Sequence, residues 1–191
     1  HQKKQLIMPT PKPFLPHGGT FKNLIVYQKA ECIYDITYYF AHHFLEKGDR
    51  TIDQMVQAAR SGKQNIAEGA SAGNTSKETE IKLTNVAKAS LQELLVDYED
   101  YLRVRGLEQW QPDDLRLAQA KRACAAHNDS AYYRNAIPKR SAETIANIAI
   151  TLIHQTDWML NKLIQKLEVM FVEGGGMREQ MTKARKEFRG Y

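Results

Sequence analysis

The chain has 191 residues, 42% hydrophobic and 26% charged, the size and composition of one globular domain with appendages and not of a disordered or fibrous chain. No run reaches the ~20 apolar residues of a membrane helix, and residues 1–20 lack an apolar core followed by a small-residue cleavage site, so neither a membrane span nor a signal peptide is expected. The net charge of +5 is gathered at the two ends: Lys3, Lys4, Lys12 and Lys22 have no acid among them, and Arg178, Lys183, Arg185, Lys186 and Arg189 face only Glu179 and Glu187. Basic ends of this kind attract polyanions or simply keep a chain in solution.

Residues 1–20 read as a Pro-rich extended arm, because Pro9, Pro11, Pro13 and Pro16 forbid a helix. Thr20 is placed to cap a first helix over 21–47, in which Leu24, Tyr27, Ile33, Tyr34, Thr37, Phe40, Ala41 and Phe44 recur at helical steps and Gly48 marks the end. A second helix is predicted over 51–70, with Asp49 or Thr51 as cap and Ile52, Met55, Val56, Ala59 and Ile66 inward. A polar turn at 71–76 leads to Ser76 and a third helix over 77–105. Its stripe is Ile81, Thr84, Ala87, Leu91, Leu94, Tyr98 and Tyr101, widened by Val86, Leu95 and Leu102. The first three helices thus fill 21–105.

Residues 106–140 read as a crossover, with a short helix over 112–127 and then an irregular loop with aromatic anchors at Tyr132 and Tyr133. A last long helix over 141–173 begins at Ser141 and carries Ile145, Ile148, Ala149, Leu152, Thr156, Met159, Leu163, Leu167 and Met170 at a near-heptad spacing. Gly174, Gly175 and Gly176 break it, and the basic tail 174–191 has the pattern of a short helix. The expected fold is all-α: an antiparallel four-helix bundle with a long crossover before the last helix and flexible basic ends. Cys32 and Cys124 fall in helical patterns far apart and read as buried free thiols in a reducing, cytoplasmic setting.

No constellation supports catalysis. Ser61-Gly62-Lys63 lacks both the preceding strand and the upstream glycine of a phosphate loop, since position 57 is Gln. His42, His43, His127 and His154 have no metal-ligand spacing, and Glu93, Asp97 and Asp100 read as a solvated face. No catalytic residue, metal or cofactor is expected. Asn65 and Glu68 lie three apart on one helix and read as a buried hydrogen-bonded pair that fixes close packing, with Gly69 behind them. Asn147-Ile148-Ala149 repeats the Asn65-Ile66-Ala67 pattern, which adds Asn147 to this packing set. Two groups suit phosphate contact: Arg134, Lys139 and Arg140 beside the aromatic pair, and the tail residues Arg178, Lys183, Arg185, Lys186 and Arg189.

Four blocks carry a family resemblance: Leu24-Ile25-Val26-Tyr27-Gln28-Lys29-Ala30, Gln57-Ala58-Ala59-Arg60-Ser61, Asn65-Ile66-Ala67-Glu68-Gly69, and Ala87-Lys88-Ala89-Ser90-Leu91-Gln92-Glu93-Leu94. Over 21–105 the chain resembles the four-helix-bundle proteins encoded in intervening sequences of bacterial 23S rRNA genes. That superfamily includes the accessory variability proteins of diversity-generating retroelements. The chain departs in having Gly62-Lys63-Gln64 where the family commonly has Ser-Ile, and in the long crossover. From Tyr132 onward it looks like a suffix-domain type: Tyr132-Tyr133-Arg134, Ile137-Pro138, Asn147 through Gln155, then Glu173-Gly174-Gly175. The resemblance implies a non-enzymatic homo-oligomeric scaffold that binds RNA or DNA, or a ribonucleoprotein or reverse-transcriptase partner. A protein-interaction adaptor without nucleic-acid binding is the alternative expectation.

Overall fold

The computed structural model describes residues 20–190; the arm expected over 1–20 lies, apart from Thr20, outside the described residues. Among these there are seven α-helices and no strand. They are α1 (Ile25–Phe44), α2 (Arg50–Ala72), α3 (Lys77–Val104), α4 (Leu115–Ala126), α5 (Ser130–Ala136), α6 (Ala142–Gly174) and α7 (Met177–Arg189), with 3-10 turns at Phe21–Asn23 and Ile137–Lys139. The chain is all-α, with more helices than four: α5 stands where the sequence predicts an irregular loop.

Local side chains set most helix starts. Thr51 N donates to Asp49 at 2.8 Å, Thr79 N to Ser76 at 3.2 Å, Arg116 N to Asp114 at 2.8 Å, Ala131 N to Asp129 at 3.0 Å and Thr144 N to Ser141 at 3.2 Å. Each bond satisfies one of the amides that a helix leaves without an internal partner. The start of α1 differs from expectation. The Thr20 side chain caps nothing, and α1 begins behind the 3-10 turn at Leu24. It also ends before Gly48: Leu45 turns extended (φ −97°, ψ 149°) and buries its side chain, while Gly48 (φ +93°) serves the following turn.

The long helices pack in a ring, with α1 against α2 and α6, and α3 against α2 and α6. Helix α4 lies on α6, and α5 on α1. The core between them holds Ile33, Ile36, Phe40, Leu91, Leu94, Tyr98, Leu102, Leu152 and Leu160, each at most 1% exposed. Tyr98 keeps its hydroxyl satisfied by pairing with Thr37 Oγ1 at 2.9 Å, and its ring meets Phe40 at 5.0 Å. Three residues of the expected stripes sit outside the core: Leu24, Val86 and Met170 are 38%, 47% and 41% exposed, Leu24 because it precedes α1 as extended backbone, the other two at the edges of their helical faces.

Helices α2 and α3 approach most closely where α2 has no side chain. A Cβ on Gly62 would lie 2.7 Å from Leu91 Cδ2 and 2.8 Å from its Cγ. One on Gly69 would lie 3.4 Å from both the Glu80 carbonyl and Leu83 Cβ. Ser61 and Ser90 bridge the same interface through their hydroxyls at 2.8 Å. Small residues here let two backbones come together, and dispersion contacts between the helices repay the lost side chain.

Candidate functional site

The described structure separates the expected site residues into three places. Arg178, Lys183, Arg185, Lys186 and Arg189 all lie on α7 and are exposed. Gly175 turns the chain with φ +70°, and Gly176 N donates to Glu179 Oε2 at 2.8 Å to start the helix. Helix α7 belongs to none of the packed helix pairs. None of its five cations forms an ion pair among the described residues. Two of its apolar side chains are uncovered as well, Met181 at 36% and Phe188 at 79% exposed.

Arg134, Lys139 and Arg140 are also exposed, around the end of α5. Arg134 is not free: its Nε lies 3.8 Å from Asp35 Oδ2, and the Ser130 hydroxyl donates to the same carboxylate oxygen. Arg134 joins Tyr34, Tyr38, Tyr39 and His43 of α1 in lining a groove of about 520 Å³. Tyr39 stacks on His43 at 3.8 Å and Tyr38 lies against His42 at 4.3 Å. His42 Nδ1 and His43 Nδ1 donate to the Tyr38 and Tyr39 carbonyls at 2.7 and 2.8 Å. A carbonyl only accepts, so the proton is on Nδ1 in both rings.

The residues expected to fix packing divide. Gly69 is buried against α3. Asn65 and Glu68 are not the buried pair that the sequence predicts. The Asn65 amide donates to the Ser61 carbonyl at 2.9 Å and to its hydroxyl at 3.2 Å, while Glu68 is exposed. The buried face of α2 runs through Ala58, Ala59, Gly62, Ile66 and Gly69, which puts 65 at its margin and 68 outside it. Asn147 is 2% exposed and clamps the crossover. Its Oδ1 accepts from Trp110 N at 2.9 Å, and its Nδ2 donates to the Glu108 and Glu143 carbonyls at 2.8 and 2.9 Å. That fully used amide binds the otherwise irregular segment before α4 to the inner face of α6.

Lys29 is the residue that the sequence reading missed. It is 4% exposed, and its Nζ donates to the Cys124 carbonyl at 2.7 Å and to Gln155 Oε1 at 3.4 Å. Burial holds its pKa below the ordinary lysine value. The signal was its place between Val26 and Ile33, three and four residues away on the inward face. Cys32 and Cys124 are free and buried; burial raises both thiols, Cys32 to about 12. Asp97 is held above the usual carboxylate range by burial and then by Glu93 and Asp100. No group of three or more His, Cys, Asp or Glu among the described residues is arranged to hold a metal ion, and no described helix is long and apolar enough to cross a membrane.

No family model, no curated protein and no solved structure matches this chain. Chemistry on the described surface is therefore the guide to function.

Proposed function

We propose that the protein is a non-enzymatic helical scaffold that binds nucleic acid, directly or in a ribonucleoprotein or reverse-transcriptase complex, through its C-terminal helix. The observation that carries the proposal is α7: five exposed cations without ion pairs, on a helix outside every packed pair. Cations that the protein itself does not neutralise are the groups that release counterions from a phosphate backbone. The groove of Tyr34, Tyr38, Tyr39 and Arg134 adds rings and charge of the kind on which single-stranded bases stack.

In this reading α1, α2, α3 and α6 are an antiparallel four-helix bundle of the rRNA intervening-sequence type. Copies assemble into a homo-oligomer that presents several α7 helices. The free buried thiols support a reducing, cytoplasmic setting.

The test is fluorescence polarisation of labelled single-stranded RNA across a salt series. If all five cations meet phosphates, the logarithm of affinity falls with the logarithm of salt with a slope of roughly −3.5. A chain ending at Gly176 keeps its melting temperature and loses most of that slope. Equal affinity in the shortened chain would remove α7 from the site. Exposed Val172 and Phe188, at 80% and 79%, favour a second reading as a protein-interaction adaptor. RNA affinity absent even at low salt, with Phe188→Ser dissociating a protein complex, is its signature.

A further inference from the structure

A cavity of about 960 Å³ opens between α1, α4, α6 and the crossover. Its walls are mostly apolar, with Ile25, Pro112, Leu117, Ile150, Trp158 and Met159 among them. A cleft of that size with an apolar lining and a few placed polar groups has the form of a small-molecule site. Its charges have one sign. Lys29 and Lys121 line it, and none of the lining residues is acidic.

One charged group there lacks what burial normally supplies. Lys29 is 4% exposed, and its Nζ has three N–H donors, of which two go to neutral oxygens, with no ion pair among the described residues. A buried cation without a counter-charge is costly and calls for an explanation. The arrangement is braced. Gln155 Nε2 donates to the Lys121 carbonyl at 2.9 Å, which turns Gln155 Oε1 toward Lys29, and Asn147 fixes the Trp110 backbone. A counter-charge for one buried cation is thus missing at the wall of this cavity.

We propose that this cavity binds a small amphipathic carboxylate, its oxyanion on Lys29 and its apolar body against Ile150, Trp158 and Met159. A carboxylate is the occupant that answers both the unpaired cation and the absence of acids. The lining supplies no carboxylate to pair with a cationic group. The proposal is independent of nucleic-acid binding, since none of the expected phosphate-binding residues lines the cavity.

The experiment uses the whole chain and its own reporters, because both tryptophans, Trp110 and Trp158, line the cavity. Tryptophan emission is followed while octanoate, and separately octan-1-ol, is added at low salt. Octanoate is expected to shift the emission saturably and to bind at least about tenfold more tightly than the alcohol, the order of a buried charge-assisted hydrogen bond. In Lys29→Gln, which keeps a donor for the Cys124 carbonyl, that preference is lost; in Asn128→Leu it persists. Octanol binding as tightly as octanoate, no saturable shift at about millimolar octanoate, or an unchanged acid preference in folded Lys29→Gln would each overturn the proposal. Should Lys29→Gln fail to fold, the acid-to-alcohol comparison on the unmodified chain decides alone.

Discussion

The close approach of α2 and α3 makes a quantitative prediction about Gly62. An alanine Cβ there would meet Leu91 Cδ2 and Cγ at 2.7 and 2.8 Å, about 1 Å inside the optimal carbon–carbon separation. Leu91 is fully buried and has no solvent to swing into, so the helices must part or the leucine must leave its rotamer. Such overpacking costs ~1–3 kcal/mol, while replacing glycine by alanine inside a helix returns about 1 kcal/mol. Gly62→Ala alone should therefore destabilise by ~1 kcal/mol. Leu91→Ala alone should cost ~2–5 kcal/mol as a buried cavity. With Leu91 truncated, both clashing atoms are gone and the added methyl fills part of the cavity. Gly62→Ala should then stabilise by ~1 kcal/mol. The same substitution changes sign between the two backgrounds, a coupling of ~2 kcal/mol. Urea unfolding of the four proteins, followed by far-ultraviolet circular dichroism, measures it. Additivity to within ~0.5 kcal/mol, or a stabilised Gly62→Ala single variant, would refute the packing argument.

Asn147→Leu removes the clamp that holds the Glu108 carbonyl and the Trp110 amide. A loss of ~2–4 kcal/mol is expected, with a red shift of tryptophan emission as Trp110 loosens; a melting curve and spectrum like those of the parent would contradict the clamp. Alkaline stability should be governed by buried acids of high pKa. The Cys32 thiol ionises near 9 in the unfolded chain but at about 12 when folded, so the folded state holds more protons between those values and stability falls as pH rises from 9 to 12. Cys32→Ala should flatten that fall, and urea midpoints at pH 8, 9.5 and 10.5 measure the change. Lys29 acts in the opposite sense. Its folded pKa lies below the ordinary lysine value of 10.5, so its contribution rises with pH up to that value, and Lys29→Gln should steepen the alkaline decline.

The long helices are legible in sequence because two signals agree at each of them. Apolar period and cap coincide at Asp49, Ser76 and Ser141, and the structure starts helices beside all three. Helix α5 was not legible. Seven residues span about two turns, too few to establish a period, and only Asp129 announced it. The edge residues Val86 and Met170 show the converse limit: periodicity finds the direction of a face but not its width. The α7 cations stand together in sequence and on one helix, because charge clustering needs no tertiary information. The Lys29 cavity depends on α1, α4, α6 and the crossover meeting in space, so no single stretch carries it. Asn147 was singled out as a packing residue from its repeat of the Asn65 block, and it is buried; the sequence did not show that its side chain holds the irregular backbone at Glu108 and Trp110.

Lys29 also has a bearing on how the chain reaches its fold. Its two hydrogen-bond partners lie 95 and 126 residues further along. The α2–α3 hairpin closes over a short turn and forms from local contacts, whereas α1 finishes its inward face only when α4 and α6 arrive. During synthesis at about 5–20 residues per second this leaves the α1 face around Lys29 without its last neighbours for several seconds. Loop closure over such separations slows folding, and the interval is one in which a chaperone, or α1 of another nascent copy, competes for the same surface.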